Sequence, residues 1–253
     1  MLQIESSDHA MIGIHRNTAD HGAPAMNFSA SRGTSAGSNT IVQSGDYLGL
    51  IRFSGTDGSD LDTGAMITGI VDGTPGSNDM PTRLGFWTSA DGSQSPTERL
   101  RIDSNGYVTK TNTPFVMVTI NSRTDWATTG SFLTIPWDTI HGRSTNSNVG
   151  NHFNTSNHRF TAPVDGRYLF VLSMNIVGDN IMRHNINGAA VSKGEYRMTQ
   201  LVWDHIDASF IYDMNANDYY DLTSQLYSSH GQRFNGGGSA TFGWDCLSIY
   251  LLG

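Results

Sequence analysis

Lys110 and Lys193, with Glu5, Glu98 and Glu195, are the only lysines and glutamates in 253 residues. These are the side chains that normally cover exposed helix faces. A chain so short of them has little from which to build the polar side of an amphipathic helix. Acid comes almost wholly from aspartate, and Asp, Asn, Ser, Thr and 28 glycines fill the gaps between short apolar runs. That pattern joins turn chemistry to strand chemistry, so the chain is expected to be all-β. Its length allows one large or two small domains.

The thirteen arginines stand singly, and Lys+Arg 15 against Asp+Glu 23 leaves a net charge of -8. No nucleic acid partner is expected, because phosphate binding draws on clustered basic residues. No apolar run approaches the roughly 18 residues of a membrane helix, and the opening residues lack a basic-then-apolar export profile. The expectation is no membrane insertion and no evident export signal. Cys246 is the single cysteine. It is read as a small buried hydrophobe.

From Asp46 to Lys110 strand-like runs alternate with turn dipeptides. Tyr47 to Phe53 precedes Asp57-Gly58, Ala65 to Val71 precedes Asp72-Gly73, Arg83 to Thr88 precedes Asp91-Gly92, and Glu98 to Ile102 precedes Asn105-Gly106. Asp-Gly and Asn-Gly accept positive φ at low cost, so two-residue primed turns are expected. The runs carry few apolar residues. One copy would expose much of its hydrophobic surface and struggle to offset the entropy of ordering, which points to partners. Upstream, Ile4, Met11, Ile12, Ile14, Met26 and Phe28 predict two short strands before a flexible Gly/Ser/Asn-rich loop.

After Asn112 the runs lengthen and become more aromatic: Phe115 to Ile120, Ser131 to Trp137, Arg159 to Ala162, Arg167 to Val177, Thr199 to Trp203, Ala208 to Met214, Tyr219 to Tyr227, and Ala240 to Leu252. Strands of this kind, divided by Gly/Asn/Ser turns, predict a core-bearing β-sandwich such as a jelly roll. Tyr168, Phe170 and Leu172 alternate toward one face of it. The two domains are placed at residues 1–112 and 113–253. No fixed-period repeat indicates a propeller or solenoid.

Gly33-Thr34-Ser35-Ala36-Gly37 fits the nucleophile-elbow pattern, but it sits in a Ser/Gly loop with no helix to follow and is read as accidental. Asp57, Asp60 and Asp62 resemble a fragment of a calcium loop without its closing glutamate. They are read as a solvated hairpin tip that supplies neither a metal site nor the cleft of a glycosidase pair. The nine histidines show no zinc spacing. No metal, cofactor or catalytic residue is assigned. Trp126, flanked by Arg123 and Asp125, and Trp203-Asp204-His205 combine an aromatic face with hydrogen-bonding groups, the chemistry of a carbohydrate surface site.

Several motifs resemble the β-rich repeat module of bacteriophage tail fibres. They are Ser31-Arg32-Gly33-Thr34, Val42 to Gly49, Phe53-x-Gly55-x-Asp57-Gly58, Val71-Asp72-Gly73-Thr74-Pro75-Gly76-Ser77-Asn78-Asp79-Met80-Pro81, and Pro96 to Ser104. The resemblance spans residues 2 to 108. It implies a virion component, trimeric with intertwined strands. The second region resembles the trimeric jelly roll of the C1q and tumour-necrosis-factor-like superfamily. The matching stretches are Phe160-x-Ala162-Pro163-Val164-x-Gly166-x-Tyr168-x-Phe170, Asn187-Gly188, Asn217-Asp218-x-Tyr220-x-Leu222, Thr241-Phe242-Gly243 and Tyr250-Leu251-Leu252. Asn217 stands where that family usually has glycine. Gly166 is expected to relieve a tight corner.

Together the resemblances imply a non-enzymatic homotrimeric tail fibre, assembled in the host bacterial cytoplasm and held to other phage tail or fibre proteins through its N-terminus. Residues 1–112 would form a neck and residues 113–253 a head that binds a bacterial cell-surface glycan or protein. A jelly roll of this type would bring Arg123, Trp126, Asp179, Trp203, His205, His230, Arg233 and Asn235 together in loops at one end, as a receptor-binding surface. A purely structural fibre or decoration protein, and a polysaccharide depolymerase, are the rival readings.

Overall fold

The computed structural model describes residues 3–126, 130–142, 147–198, 204–226, 232–237 and 245–253. The chain forms two compact units, Met1–Thr111 and Asn112–Gly253. Every regular element among the described residues is a β-strand, and no helix there is long and apolar enough to cross a membrane.

In the first unit β1 (Tyr47–Thr56), β2 (Leu61–Val71), β3 (Thr82–Thr88), β4 (Thr97–Ile102) and β5 (Val108–Lys110) make one antiparallel meander in chain order. The strands follow the alternating runs, but the turns differ from expectation. The connections span residues 57–60, 72–81, 89–96 and 103–107, so none is a two-residue hairpin. Gly58, Gly92 and Gly106 do take positive φ, whereas between β2 and β3 Asn78 does so and Gly73 does not. The longer loops arise because aspartates bond to backbone N–H groups further along the turn. Asp57 accepts from Ser59 and Asp60, and Asp103 from Asn105 and Tyr107.

The two strands expected before Gly45 are not formed; residues 3–44 contain no strand. A strand needs a neighbour for its ladder, and a single chain offers this segment none. A fork ties it down: Arg32 Nε and Nη2 donate to Asp46 at 2.6 and 2.7 Å. That guanidinium, with the Gln43 N–H, holds the Asp46 carboxyl down at about 2.

Register gives this sheet one apolar face. Ile51 pairs with Ile67, Ile67 with Phe86, and Phe86 with Leu100, a row across four strands. Phe53, Leu84 and Val108 flank the row on the same face by alternation. Phe28 covers part of it, seated on Gly49, where a Cβ would overlap its side chain. The rest is open to solvent: Ile51 is 45% exposed, Phe53 55% and Phe86 36%.

The second unit is a two-sheet sandwich. Its strands are β6 (Phe115–Thr119), β7 (Ser122–Trp126), β8 (Leu133–Thr134), β9 (Thr139–Ile140), β10 (Phe153–Asn154), β11 (Arg159–Thr161) and β12 (Gly166–Val177). They continue with β13 (Asn180–Ile186), β14 (Ala189–Met198), β15 (Asp204–Met214), β16 (Tyr219–Leu226), β17 (Gln232–Gly237) and β18 (Cys246–Leu251). One sheet runs β10-β11-β16-β13-β14, with β8 on β16; the other runs β7-β17-β12-β18-β6-β9, with β15 along β12. The chain changes sheets from β12 to β13, from β14 to β15 and again from β15 to β16, which is a jelly-roll path.

Between the sheets Tyr168, Phe170, Leu172, Met174 and Ile176 of β12 point inward in alternation and are buried, as expected for the first three. Phe170 is the hub, with ring centroids 4.3 Å from Tyr220, 5.5 Å from Phe210 and 6.4 Å from Phe160. His184 is a core histidine bonded through Nδ1 to the Tyr220 hydroxyl (2.7 Å), and burial pushes its pKa down to about 3. Asn187 and Gly188, both at positive φ, make the two-residue turn between β13 and β14, and Asn217 takes the left-handed conformation at φ 71°. Gly166 has ordinary φ, so the expected corner strain is absent. A Cβ there would instead meet the Leu251 side chain at 2.8 Å. Truncating the hub by Phe170→Ala is expected to cost about 3–5 kcal/mol, read as a lowered denaturation midpoint of the second unit.

Candidate functional site

The sandwich has two distinguishable ends. At one, its own chain ends meet: Phe115 pairs with Tyr250, and the Leu251 N–H donates to the Pro114 carbonyl at 3.2 Å. At the other, β12 ends at Val177 and turns through Gly178 and Asp179 into β13. There the register sets Val177 beside Arg233, Arg233 beside Asp125, Trp126 beside Gln232, and Ile176 beside Asp204. The backbone thus brings Trp126, Arg233 and Asp179 to one end. Arg123 and Asn235 sit at a β-irregularity just short of it, between the Phe234–Thr124 and Gly237–Ser122 pairs.

These positions differ from expectation in one respect. Arg123 and Trp126 lie on β7, and Arg233 and Asn235 on β17, so they are strand residues and not loop residues. β17 pairs β12 on the same edge that β18 uses, and β7 pairs β17 as β6 pairs β18, so the sheet carries on toward this end. His205 is also on a strand, β15, and its ring lies along the sheet. Nδ1 is 3.2 Å from Asn175 Oδ1, and Nε2 is 3.3 Å from Ser173 Oγ and 3.1 Å from Asp207 Oδ1. Trp203 and His230 lie outside the described residues.

Asp245 is fully buried beside this group. Its Oδ1 accepts the Asn175 N–H at 2.7 Å, and its Oδ2 has no hydrogen-bond partner among the described residues. Burial pushes the carboxyl up to about 6, against the downward pull of the Asn175 N–H and of His205. A folded-state pKa above the ordinary aspartate value of 3.8 means that the folded unit holds a proton the unfolded chain has released. The associated stability is complete below pH 3.8 and is lost as pH rises through about 6. Asp245→Asn keeps an acceptor for Asn175 and removes the charge. The variant is expected to gain on the parent protein by on the order of 3 kcal/mol between pH 4 and pH 7, measured as the difference between their unfolding curves across that range.

The remaining motifs have structural duties. The ligand oxygens of Asp57 and Asp60 on the β1–β2 turn and of Asp62 at the start of β2 lie within 4.8 Å of one another, and Asp57 Oδ1 already serves two backbone N–H groups. Gly33 to Gly37 runs through a turn closed by Ser38 N–H to Ser35 O (3.1 Å). Cys246 is half-buried, its thiol pushed up by burial and 3.7 Å from Ser248 Oγ. Sequence reasoning passes over Arg159, Arg183, Asn185 and Asp221. They come from three strands, and the partners Arg159 and Asp221 are 62 residues apart, so only the alternation Tyr219, Asp221, Thr223 hinted at a shared outer face.

No protein-family model matches the chain, and no curated protein matches it. Among solved structures, the globular domain of zebrafish complement 1qA protein is similar at 15% identity and a TM-score of 0.36, over 56% of this chain and 98% of that one. The class defined by the strand order itself is an all-β protein whose C-terminal unit is a jelly-roll sandwich.

Proposed function

We propose that the chain is a receptor-binding fibre protein of a bacteriophage virion, a homotrimer that attaches the particle to a bacterial surface glycan or protein. The observation that carries the reading is the open apolar face of the first unit. A single-layer sheet with an uncovered row such as Ile51, Ile67, Phe86 and Leu100 calls for further copies, and exposed apolar surface of this kind marks association. The second unit repeats the pattern. On the outer side of its β6-β18-β12-β15 sheet, Phe115, Tyr250, Leu169 and Ile211 stand in register, with Tyr250 40% and Ile211 52% exposed.

Copy number and setting come from the two resemblances, both to trimeric modules, the first to phage tail fibres. On this reading the protein is assembled in the host cytoplasm, resides in the virion and joins other tail proteins through its N-terminus. Attachment suits such an assembly, because three weak sites acting on one surface gain roughly 10²-fold or more without a deep pocket.

Retention of the full chain on isolated host-surface polysaccharide or whole host cells tests the function. Retention without cleavage is expected, with Trp126→Ala and Arg233→Ala reducing it while the assembly stays intact. Cleavage would make the protein a depolymerase, and absence of retention would leave a structural fibre component; either result overturns the reading.

A further inference from the structure

The outer face of the other sheet holds a polar groove of about 280 Å³ between Phe132, Arg159, Arg183 and Asp221. Its floor is built from buried polar groups. Asp221, whose side chain is 4% exposed, receives Arg159 Nε at 3.0 Å on one oxygen and the Asn185 amide at 2.9 Å on the other. The same amide nitrogen reaches Thr223 Oγ1 at 3.0 Å. Asn185 is 7% exposed, and donation to a carboxylate fixes which way its amide points. Its Oδ1 is left as an acceptor with no hydrogen-bond partner among the described residues.

Two guanidinium groups wall this floor, each held flat. Arg183 lies 3.8 Å over the Phe132 ring and bonds through Nε to Glu195 at 2.7 Å, while Arg159 lies 4.1 Å over the Tyr219 ring. Each uses Nε in its charge-assisted bond, and neither has a hydrogen bond from its terminal nitrogens among the described residues. The geometry therefore presents planar, oriented donor forks on a rigid sheet. Such forks match a carboxylate through two parallel hydrogen bonds. Beside them Asn185 Oδ1 and the outer lone pairs of Asp221 accept hydroxyl protons. A groove just under the roughly 300–1,000 Å³ of drug-sized pockets suits one ring rather than a long chain.

We infer that this groove binds an acidic saccharide unit, its carboxylate on Arg183 and Arg159 and its ring hydroxyls on Asn185 and Asp221. The inference rests on the reading of the chain as a surface-attachment protein and gives that reading a ligand class. It adds to the contact at the end of the sandwich a second one on its side, of which a trimer would present three copies.

Calorimetric titration of the full chain with a galacturonic acid trimer, against a galactose trimer of the same length, tests it. The acidic oligomer is expected to bind at least tenfold more tightly, and its binding should weaken with added salt. Arg183→Gln should lose about tenfold while the melting temperature holds, and Arg183→Lys should recover part of that loss. Because Arg159→Ala would strand the buried Asp221, Arg159→Lys is the second variant, and it too should weaken binding. Equal binding of the two oligomers, unchanged binding by Arg183→Gln, or displacement of the acidic trimer by equimolar acetate would overturn the proposal. If Arg183→Gln adsorbs to host cells like the parent and the acidic trimer does not bind, the groove assignment fails while the attachment reading stands. If the parent itself does not adsorb, the attachment reading fails independently of the titration.

Discussion

Ile51, Ile67, Phe86 and Leu100 run side by side across four strands of a sheet that has no second layer of its own. Burying apolar area contributes about 25 cal/mol per Å², and a meander with one wet apolar face forgoes most of that while still losing the entropy of ordering its strands. Phe28 recovers a little by lying on Gly49. Val42, Ile70 and Val71 are its few buried apolar side chains, and the other contacts are polar, among them the Arg32–Asp46 fork, the Asp72–Arg83 pair, and aspartates bonded into their own turns. The polar contacts define the shape of each loop, but an ion pair as exposed as Arg32–Asp46 is worth little in stability. The unit therefore depends on what covers its face, and the exposed segment before Gly45 has the same need for a neighbour.

The second unit solves the problem within one chain. Two sheets close over the ring cluster centred on Phe170, and His184, drawn inside, bonds to the Tyr220 hydroxyl and is kept neutral. What remains on its surfaces differs from sheet to sheet. The β6-β18-β12-β15 side keeps an apolar row suited to association, and the opposite side keeps an ordered set of charges and amides suited to recognition. On the proposed reading, self-association and ligand contact would fall on different faces of one sandwich. Asp245 is the exception to this economy, a buried carboxyl held near neutrality at some expense in stability above pH 6.

Much of this was legible in the residues. The scarcity of Lys and Glu excluded helices, and the alternation Tyr168, Phe170, Leu172 identified the core face of β12. The motif residues Arg32, Asp46 and Asp72 turned out to be ion-pair partners, Arg32 with Asp46 and Asp72 with Arg83. Turn lengths were not legible, because an Asp-Gly dipeptide signals a reversal but not how far the aspartate carboxylate reaches along it. β13 was missed as well. Asn180 and His184 are buried there through hydrogen bonds, and polar residues in a strand's inward positions hide its period. The groove was illegible for a related reason, since its members converge only through register between β11, β16 and β13.

The central claim is that the open face of the first unit is closed by further copies of the chain. Sedimentation equilibrium of the full chain at micromolar concentration tests it most directly. One species at about three times the 27.5 kDa chain mass is expected, with no monomer whose first unit keeps its sheet on dilution. A 27.5 kDa species in which the Ile51, Ile67 and Phe86 amides stay protected from hydrogen exchange would contradict it.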